Sequence, residues 1–560
     1  MVRAPPSLPD GTDDGDHSSS PESSLNDRDG SVPTGIFQDL LPSSYESPSP
    51  SPRRRSPARD SWFSLLSQEL HDSMPRFEYL GESTGLFLLQ DEYDDMDIHH
   101  PLSYGSSSLV RGLGPYQIAD LMRRGAFTIP DKPLRDELVS EFFRWVAPNL
   151  PIVNKKFFLY QYETWQRGSR PSLFLLQAMF LSASKVSTSP LLLRAIGSNL
   201  AASAIFYQRA KALYDADYEP DRVIVLQSLL LMGLHCEDPR GVGTTFYWSR
   251  IAIAVAQSIG LHRSVTTSNL SLPEKRLYKR IWWTLVVRDS LTSVCLGRPM
   301  GIDLEDCDVE MLEESDFLDE DEHASSPEVV SPGQLHAKFA VQHLKLSKIM
   351  GQIFSAYYSA SSRPEAQTHL EYDRRLTAWL QQRPPELIWH KTAREYWASV
   401  LHLHYCTAIC LLHKAHMSTR PDMTLSEVHL SRGAAYDAAD SITDIIEGLI
   451  SKGELRYCPP FILHSLYSAL LIHAHRITKG NGHELFPMRS GAEVCLKACQ
   501  ELSGSWTAAS LTYGVFSHLL SSKLRREGSS TQSDVGFETP DGLSLTGVDP
   551  TLDRFDAFGL

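Results

Sequence analysis

No cysteine precedes Cys236 in this 560-residue sequence, and only eight occur in all. So sparse a supply does not make a disulfide framework and fits a reducing compartment. Long apolar runs are also missing. The greasiest stretches, 223–234 and 461–472, fall short of the roughly 20 apolar residues that cross a bilayer, and both read as buried helices. The opening, Met1-Val2-Arg3-Ala4-Pro5-Pro6, has no apolar signal core, so secretion is not expected. Strand-like alternation is convincing nowhere. Nor is there an excess of cations. The formal charge is −15, so direct contact with nucleic acid would need a segregated basic module, and none is visible. The one tight cationic run, Arg53-Arg54-Arg55 between Ser-Pro pairs, reads first as a solvated run. A nuclear import signal or a phosphorylation-tuned contact are its alternatives.

What is present suffices for a large core: 42% of residues are hydrophobic and 9% aromatic, enough for one large core or two ordinary ones. The acidity is local, with twelve carboxylates and neither Lys nor Arg in 303–322. Residues 1–60 are rich in Ser, Pro, Asp and Gly without hydrophobic periodicity, a composition expected to be disordered. Residues 61–133 form a partly ordered lead-in. Sustained helical patterning begins with Leu134, Leu138, Phe142 and Trp145, and Pro148 stops it. Asp221 is placed to cap an apolar helix over 223–234, and Trp248, Ala252, Val255 and Ile259 mark another that Gly260 ends. Ser271 with Glu274 makes a capping box for a helix carrying Ile281-Trp282-Trp283-Thr284-Leu285-Val286-Val287, apolar nearly all round and therefore central. Leu335, Phe339, Gln342, Leu346, Ile349 and Ile353 form the stripe of a long packing helix. Further helices are expected near 370–380, 396–417, 434–450, 460–477 and 492–502. The expected fold class is all-α, one large multi-helix domain with its core over 134–320 and its C-terminal helical part over 321–520. An acidic tail, disordered by composition, is expected over 521–560.

Several local patterns invite chemistry. His402, Cys406, Cys410 and His413 fall on one helical face, but four ligands along a straight helix span roughly 16 Å and cannot close a tetrahedron. Packed core side chains are the favoured reading, with Cys495 and Cys499 ranking lower still. Ser182-Ala183-Ser184-Lys185 fits a Ser-x-x-Lys spacing without the companion motifs of that hydrolase class. Gly241-Val242-Gly243-Thr244-Thr245 lacks the lysine of a phosphate loop. The acidic 303–322 stretch lacks the calcium-loop pattern and reads as a solvated loop. Residues 549–560 interleave acids with Leu552, Phe555, Phe558 and Leu560, as amphipathic activation segments do, with an ordinary tail as the alternative. No nucleophile, base and orienting group assemble from the sequence, so no enzyme activity, cofactor or metal is expected.

Three ordered stretches resemble the regulatory domain of fungal zinc-cluster transcription factors, in particular the cutinase transcription factor group. The first holds Leu134-Arg135-Asp136-Glu137-Leu138, Ala147-Pro148-Asn149-Leu150-Pro151 and Ser172-Leu173-Phe174-Leu175-Leu176-Gln177-Ala178-Met179. The second holds Phe206-Tyr207-Gln208-Arg209-Ala210-Lys211 and Val225-Leu226-Gln227-Ser228-Leu229. The third is the most specific, and its signature residues are Trp282, Trp283, Arg288, Asp289, Gly297, Arg298, Pro299, Asp306 and Asp308. The resemblance runs over about residues 75 to 520. It implies an all-α regulatory domain, a nuclear location and control of a gene set, with relatives or the transcription machinery as protein partners and a small-molecule effector as a further expectation. For the signature residues a structural part is expected, with a desolvated ion-pair network among Arg288, Asp289 and Arg298. Family members usually carry an N-terminal zinc-binding cysteine cluster. Without cysteines before Cys236 no such site is expected within this sequence, the module lying in a partner, being lost or lying upstream of Met1, so DNA contact is expected to be indirect or is left open, and a non-DNA-binding partner of zinc-cluster relatives is the alternative function.

Overall fold

A computed structural model describes residues 76–78, 102–104, 113–165, 170–235, 245–320, 332–360, 362, 366–393, 395–417, 425–479 and 485–530. The Ser/Pro-rich segment 1–60 with its arginine run, Cys236, residues 241–244 and residues 549–560 lie outside them. So do the expectations placed on those segments.

Helices build the described part. Nine occupy the first half: α1 (Pro115–Arg123), α2 (Lys132–Glu141), α3 (Lys155–Glu163), α4 (Leu173–Val186), α5 (Pro190–Ile196), α6 (Asn199–Asp215), α7 (Arg222–Met232), α8 (Thr245–Ser258) and α9 (Leu272–Leu296). Seven follow: α10 (Pro332–Tyr358), α11 (Ala366–Gln381), α12 (Tyr396–Lys414), α13 (Leu425–Lys452), α14 (Ile462–Lys479), α15 (Leu485–Leu502) and α16 (Thr507–Ser530). The all-α class stands, with one addition. Arg76–Glu78 and Leu102–Tyr104 form a two-stranded antiparallel ribbon, β1 and β2, in which Phe77 faces Ser103. Strands of three residues are too short to show alternation in a sequence.

Local chemistry sets the helix boundaries. The Asp221 carboxylate accepts the amides of Val223 and Ile224 at 2.8 and 3.3 Å and starts α7. Glu274 accepts the Ser271 amide at 2.8 Å in the capping box that starts α9. Gly260, at φ 73°, turns the chain out after α8. Ahead of Pro148, α2 loosens into a π-turn over Phe142–Val146.

Two packed groups of helices meet where α9, which packs on α8, lies against α10. In the first, α4 lies against α2, α6 and α7; in the second, α12 lies against α10, α13 and α14. The middle of α9 is buried from Arg280 to Val286, as expected of a central helix, yet α4 is enclosed more completely, with every residue buried. Such enclosure is tolerable only if its polar side chains are satisfied. The Gln177 amide donates to the carbonyls of Ala126 and Thr128 at 3.1 and 2.8 Å, and Ser182 and Ser184 donate to carbonyls of their own helix. Lys185 donates to the Ser505 carbonyl at 3.3 Å, with its ammonium 4.6 Å from the Trp506 ring. Ser505 Oγ donates in turn to the Lys185 carbonyl at 3.0 Å. These bonds tie the start of α16 to the end of α4.

At its far end α16 continues to Ser530, past the boundary expected at 521. Leu524, Arg525, Arg526 and Glu527 are good helix formers and extend the last turns. No described helix is long and apolar enough to cross a membrane.

Candidate regulatory site

The signature residues gather where α9 ends. Gly297 takes up the left-handed conformation at φ 62°, and the amide of Arg298 reaches back to the Ser293 carbonyl at 3.2 Å. This left-handed close turns the chain against α8. Ser293 Oγ and the Arg250 guanidinium both donate to the Pro299 carbonyl, the former at 3.2 Å.

The turned loop is then fixed by one carboxylate. Asp289 Oδ2 accepts the amides of Gly301 and Ile302 at 2.8 and 3.0 Å, while Oδ1 stands 3.2 Å from Arg250 Nη1. Burial pushes the Asp289 carboxyl above its usual range, opposed by the two amide donors and by Arg250. A Cβ at Gly301 would fall on the Arg250 guanidinium, so a larger residue there would have to push that side chain off its place beside Asp289. On the outer side Phe246 is flanked by two guanidinium groups, Arg250 at 4.6 Å and Arg298 at 4.8 Å from its ring centre.

The expected Arg288–Asp289–Arg298 network is therefore not what forms. Neighbouring positions on a helix point about 100° apart, so Arg288 and Asp289 leave α9 in different directions. Arg288 reaches α7, where Nη2 donates to the Leu230 carbonyl at 3.1 Å, and it sits so close that a Cβ on Gly233 would stand 2.9 Å from it. Burial alone lowers its pKa to about 10, which leaves it cationic at neutral pH. A cation at the last turn of α7 complements the exposed carbonyls of that helix end.

A second clasp holds the acidic loop. Asp308 accepts the Ser264 amide at 2.7 Å and pairs with Arg263 at 3.1 Å, and its own amide donates to the His262 carbonyl at 3.3 Å. Glu310 accepts the hydroxyls of Ser264 and Thr266, each at 2.6 Å, and its carbonyl receives the Trp283 indole N–H at 2.7 Å. Lys279 pairs with Asp316 at 2.9 Å. Over its described length the stretch is thus a strap with several anchors and not a freely solvated loop. Trp282, fully buried, lies beneath it with its ring 6.1 Å from that of His262, while Asp306 stays exposed.

Sequence reasoning found Asp289, Arg298, Gly297 and Asp308 but missed their partners Arg250, Phe246 and Gly301. Phe246 and Arg250 are one helical turn apart on α8, a spacing that could have suggested a shared face.

The catalytic and metal hints come apart. Ser182 donates to the Met179 carbonyl at 2.8 Å, and Lys185 points to Ser505. Of the four residues on the α12 face, His402 stacks on Trp389 with ring centres 5.0 Å apart, and His413 turns to Asp373 at 3.6 Å. Cys406 and Cys410 are buried thiols, the first pushed up to about 12 by burial and the second also raised by it, far from the thiolate that binds metal.

The described domain is all-helical apart from one short ribbon, and the polar residues gathered at the end of α9 brace loops and helix ends. Residues 139–381, from within α2 to the last residue of α11, match the fungal specific transcription factor domain. Over these residues the chain carries the domain that fungal transcription factors share. It is 39% identical over 463 residues to cutinase transcription factor 1 alpha of Fusarium vanettenii, covering 81% of this chain and 50% of that protein. It is 31% identical over 388 residues to the acetamidase regulatory protein of Aspergillus fumigatus, covering 69% and 48%. The chain thus spans about half the length of the curated relatives it matches. A solved structure of the K. lactis CBF3 core aligns with a TM-score of 0.45 at 13% identity, over 85% of this chain and 93% of that one.

Proposed function

We propose that this chain is a nuclear regulator of transcription that tunes a gene set, of the kind a metabolic pathway or biosynthetic cluster needs, through contacts made by its helical domain. The observation that carries the proposal is the match over 139–381, which takes in both clasps and the helices they brace. In this reading Trp282, Trp283, Arg288, Asp289, Gly297, Arg298, Pro299, Asp306 and Asp308 keep the α8–α9 face and the acidic strap in one shape, and protein partners or a small effector read that shape. Transcript profiling after deletion and after overexpression tests it. A coherent group of genes changing in opposite directions supports the reading, and an unchanged transcriptome in both strains overturns it.

A second reading is that the chain acts by pairing with zinc-cluster relatives, which then supply the DNA contact. Within these 560 residues the net charge is −15 and no cysteine precedes Cys236, which favours it. Co-purification with a relative, together with reduced occupancy of that relative at its promoters, supports pairing. Purified full chain that binds promoter DNA alone would overturn it.

A further inference from the structure

The acidic strap is fastened across its middle by hydroxyl groups, and a hydroxyl is an anchor that phosphorylation turns into an anion. Ser264 and Thr266 donate to the same oxygen, Glu310 Oε1, each at 2.6 Å. Burial opposes ionisation of that carboxyl, yet the two hydroxyls carry it below its usual range, so it is an anion at neutral pH. Asp308 adds a second carboxylate, accepting the Ser264 amide at 2.7 Å and pairing with Arg263. On one side of this fastening Asp289 holds Gly301 and Ile302, and on the other Leu312 and Phe317 are buried. Residues 303–311 therefore form a loop pinned at both ends and latched in between.

Thr266 combines exposure with a direct bond to the latch, whereas Ser264 is half-buried and Ser268 donates to the Val265 carbonyl. It lies between α8 and α9 in a connection of turns without helix or strand, open to an enzyme that takes its substrate as extended chain. Arg263 stands three residues ahead, and charge at such flanking positions is what protein kinases read.

In the transfer the Thr266 oxygen bonds to the γ-phosphorus of ATP, the bond from that phosphorus to ADP breaks, and a kinase carboxylate accepts the hydroxyl proton. Before transfer Thr266 gives Glu310 a hydrogen bond. Afterwards it presents about −1.5 to −2 charges to that same carboxylate, and attraction becomes repulsion. Two cations are at hand for the phosphate. Lys275 Nζ already donates to the Thr266 carbonyl at 2.8 Å, and Arg263 has a stronger partner in a phosphate than in the exposed Asp308. Drawing Arg263 away loosens Asp308 as well. Once 303–311 lifts, the Trp283 indole loses the Glu310 carbonyl to which it donates at 2.7 Å.

We propose that Thr266 is a phosphorylation site for an arginine-directed protein kinase, and that its phosphate unlatches residues 303–311 from the α8–α9 connection.

Purified full chain is treated with ATP and a calmodulin-dependent protein kinase, a type that selects Arg three residues ahead of the hydroxyl, and the phosphate is placed by peptide mass mapping. The Asp308 amide, which donates to the His262 carbonyl at 3.3 Å, reports the latch through hydrogen exchange. Phosphate on Thr266 is expected, with exchange at least about tenfold faster, in keeping with loss of a hydrogen bond to a charged group. Thr266→Glu should reproduce the faster exchange, and Thr267→Glu, one exposed position on, should not. Thr266→Glu combined with Glu310→Gln should return exchange toward the unmodified rate, because the repulsion needs the carboxylate. Treated chain without phosphate on Thr266 overturns the proposal. So does exchange that is unchanged by phosphate or Thr266→Glu, equally fast in Thr267→Glu, or not slowed by Glu310→Gln. All of these readouts come from the chain alone and do not depend on its acting in transcription.

Discussion

Asp289 does more to hold the loop after α9 than either arginine beside it, because one carboxylate serves three donors on two segments. Replacing it with Ala leaves two amides of the turned loop without an acceptor. Hydrogen bonds to a charged group contribute about 1.5–3 kcal/mol each. Arg250 keeps some access to water, its side chain being 28% exposed, so the total falls short of the about 3–5 kcal/mol lost when a fully buried pair is broken. The expected destabilisation of Asp289→Ala is about 2–3 kcal/mol, read as a lower urea midpoint with an unchanged slope. Asp289→Asn keeps an acceptor and should lose less. An unchanged midpoint in Asp289→Ala would show that the clasp contributes nothing. Arg298→Ala removes only an exposed stack on Phe246 and should cost under about 1 kcal/mol. The importance of Asp289 was legible in the sequence, but its partner was not. Sequence adjacency suggested Arg288, whereas the partner stands thirty-nine residues earlier, on a helix whose position depends on tertiary packing.

At the scale of elements, α9 combines a start and a stop that can be tested apart. Ser271→Ala removes the hydroxyl of the capping box but leaves Glu274 bonded to the backbone amide, and should cost about 1 kcal/mol. Gly297→Ala forces an L side chain into a left-handed conformation and should cost about 1–2 kcal/mol. The second change should also loosen the loop behind it, seen as faster hydrogen exchange at the Gly301 and Ile302 amides. Equal exchange in the two variants would count against a link between the helix stop and the clasp. The start of α9 could be read from Ser271 and Glu274, since a cap is chosen by a few adjacent residues. Amphipathic α10 was equally plain from its stripe. Less accessible was α4, whose enclosure on all sides erases the period that marks a helix with one buried face. From Arg525 onward Gly, Ser and Thr dominate the sequence and read as tail, while Lys185 and Trp506, which anchor the start of α16, are far apart in sequence.

For the molecule as a whole, histidine burial predicts a steep response to mild acid. Burial holds His343 and His402 at about 4 and His464 and His235 at about 3, and it takes His404 well below its usual range. His343 and His404 lie ring to ring at 4.8 Å between α10 and α12, so protonating either places a charge in the core. In the unfolded chain each would titrate near 6.5. Above that value neither state binds the proton, and folding is indifferent to pH on their account. As pH falls below about 6.5 the unfolded state takes up protons that the folded state refuses, so stability declines until the folded values are reached. Each such histidine contributes a slope of about 1.4 kcal/mol per pH unit across that window. The urea midpoint should therefore be level from pH 8 to 7 and fall steeply toward pH 5, limits set by the roughly 6.5 of an unfolded imidazole. His343→Phe, which keeps a ring against Phe339, should make that fall shallower by about one proton. Carboxylates with lowered values, such as Asp136 and Glu310, lose their contribution only at lower pH and do not produce the same onset. A midpoint that stays level down to pH 5 would mean that these histidines are solvated or paired, and that the interface of α10 with α12 is not packed as described.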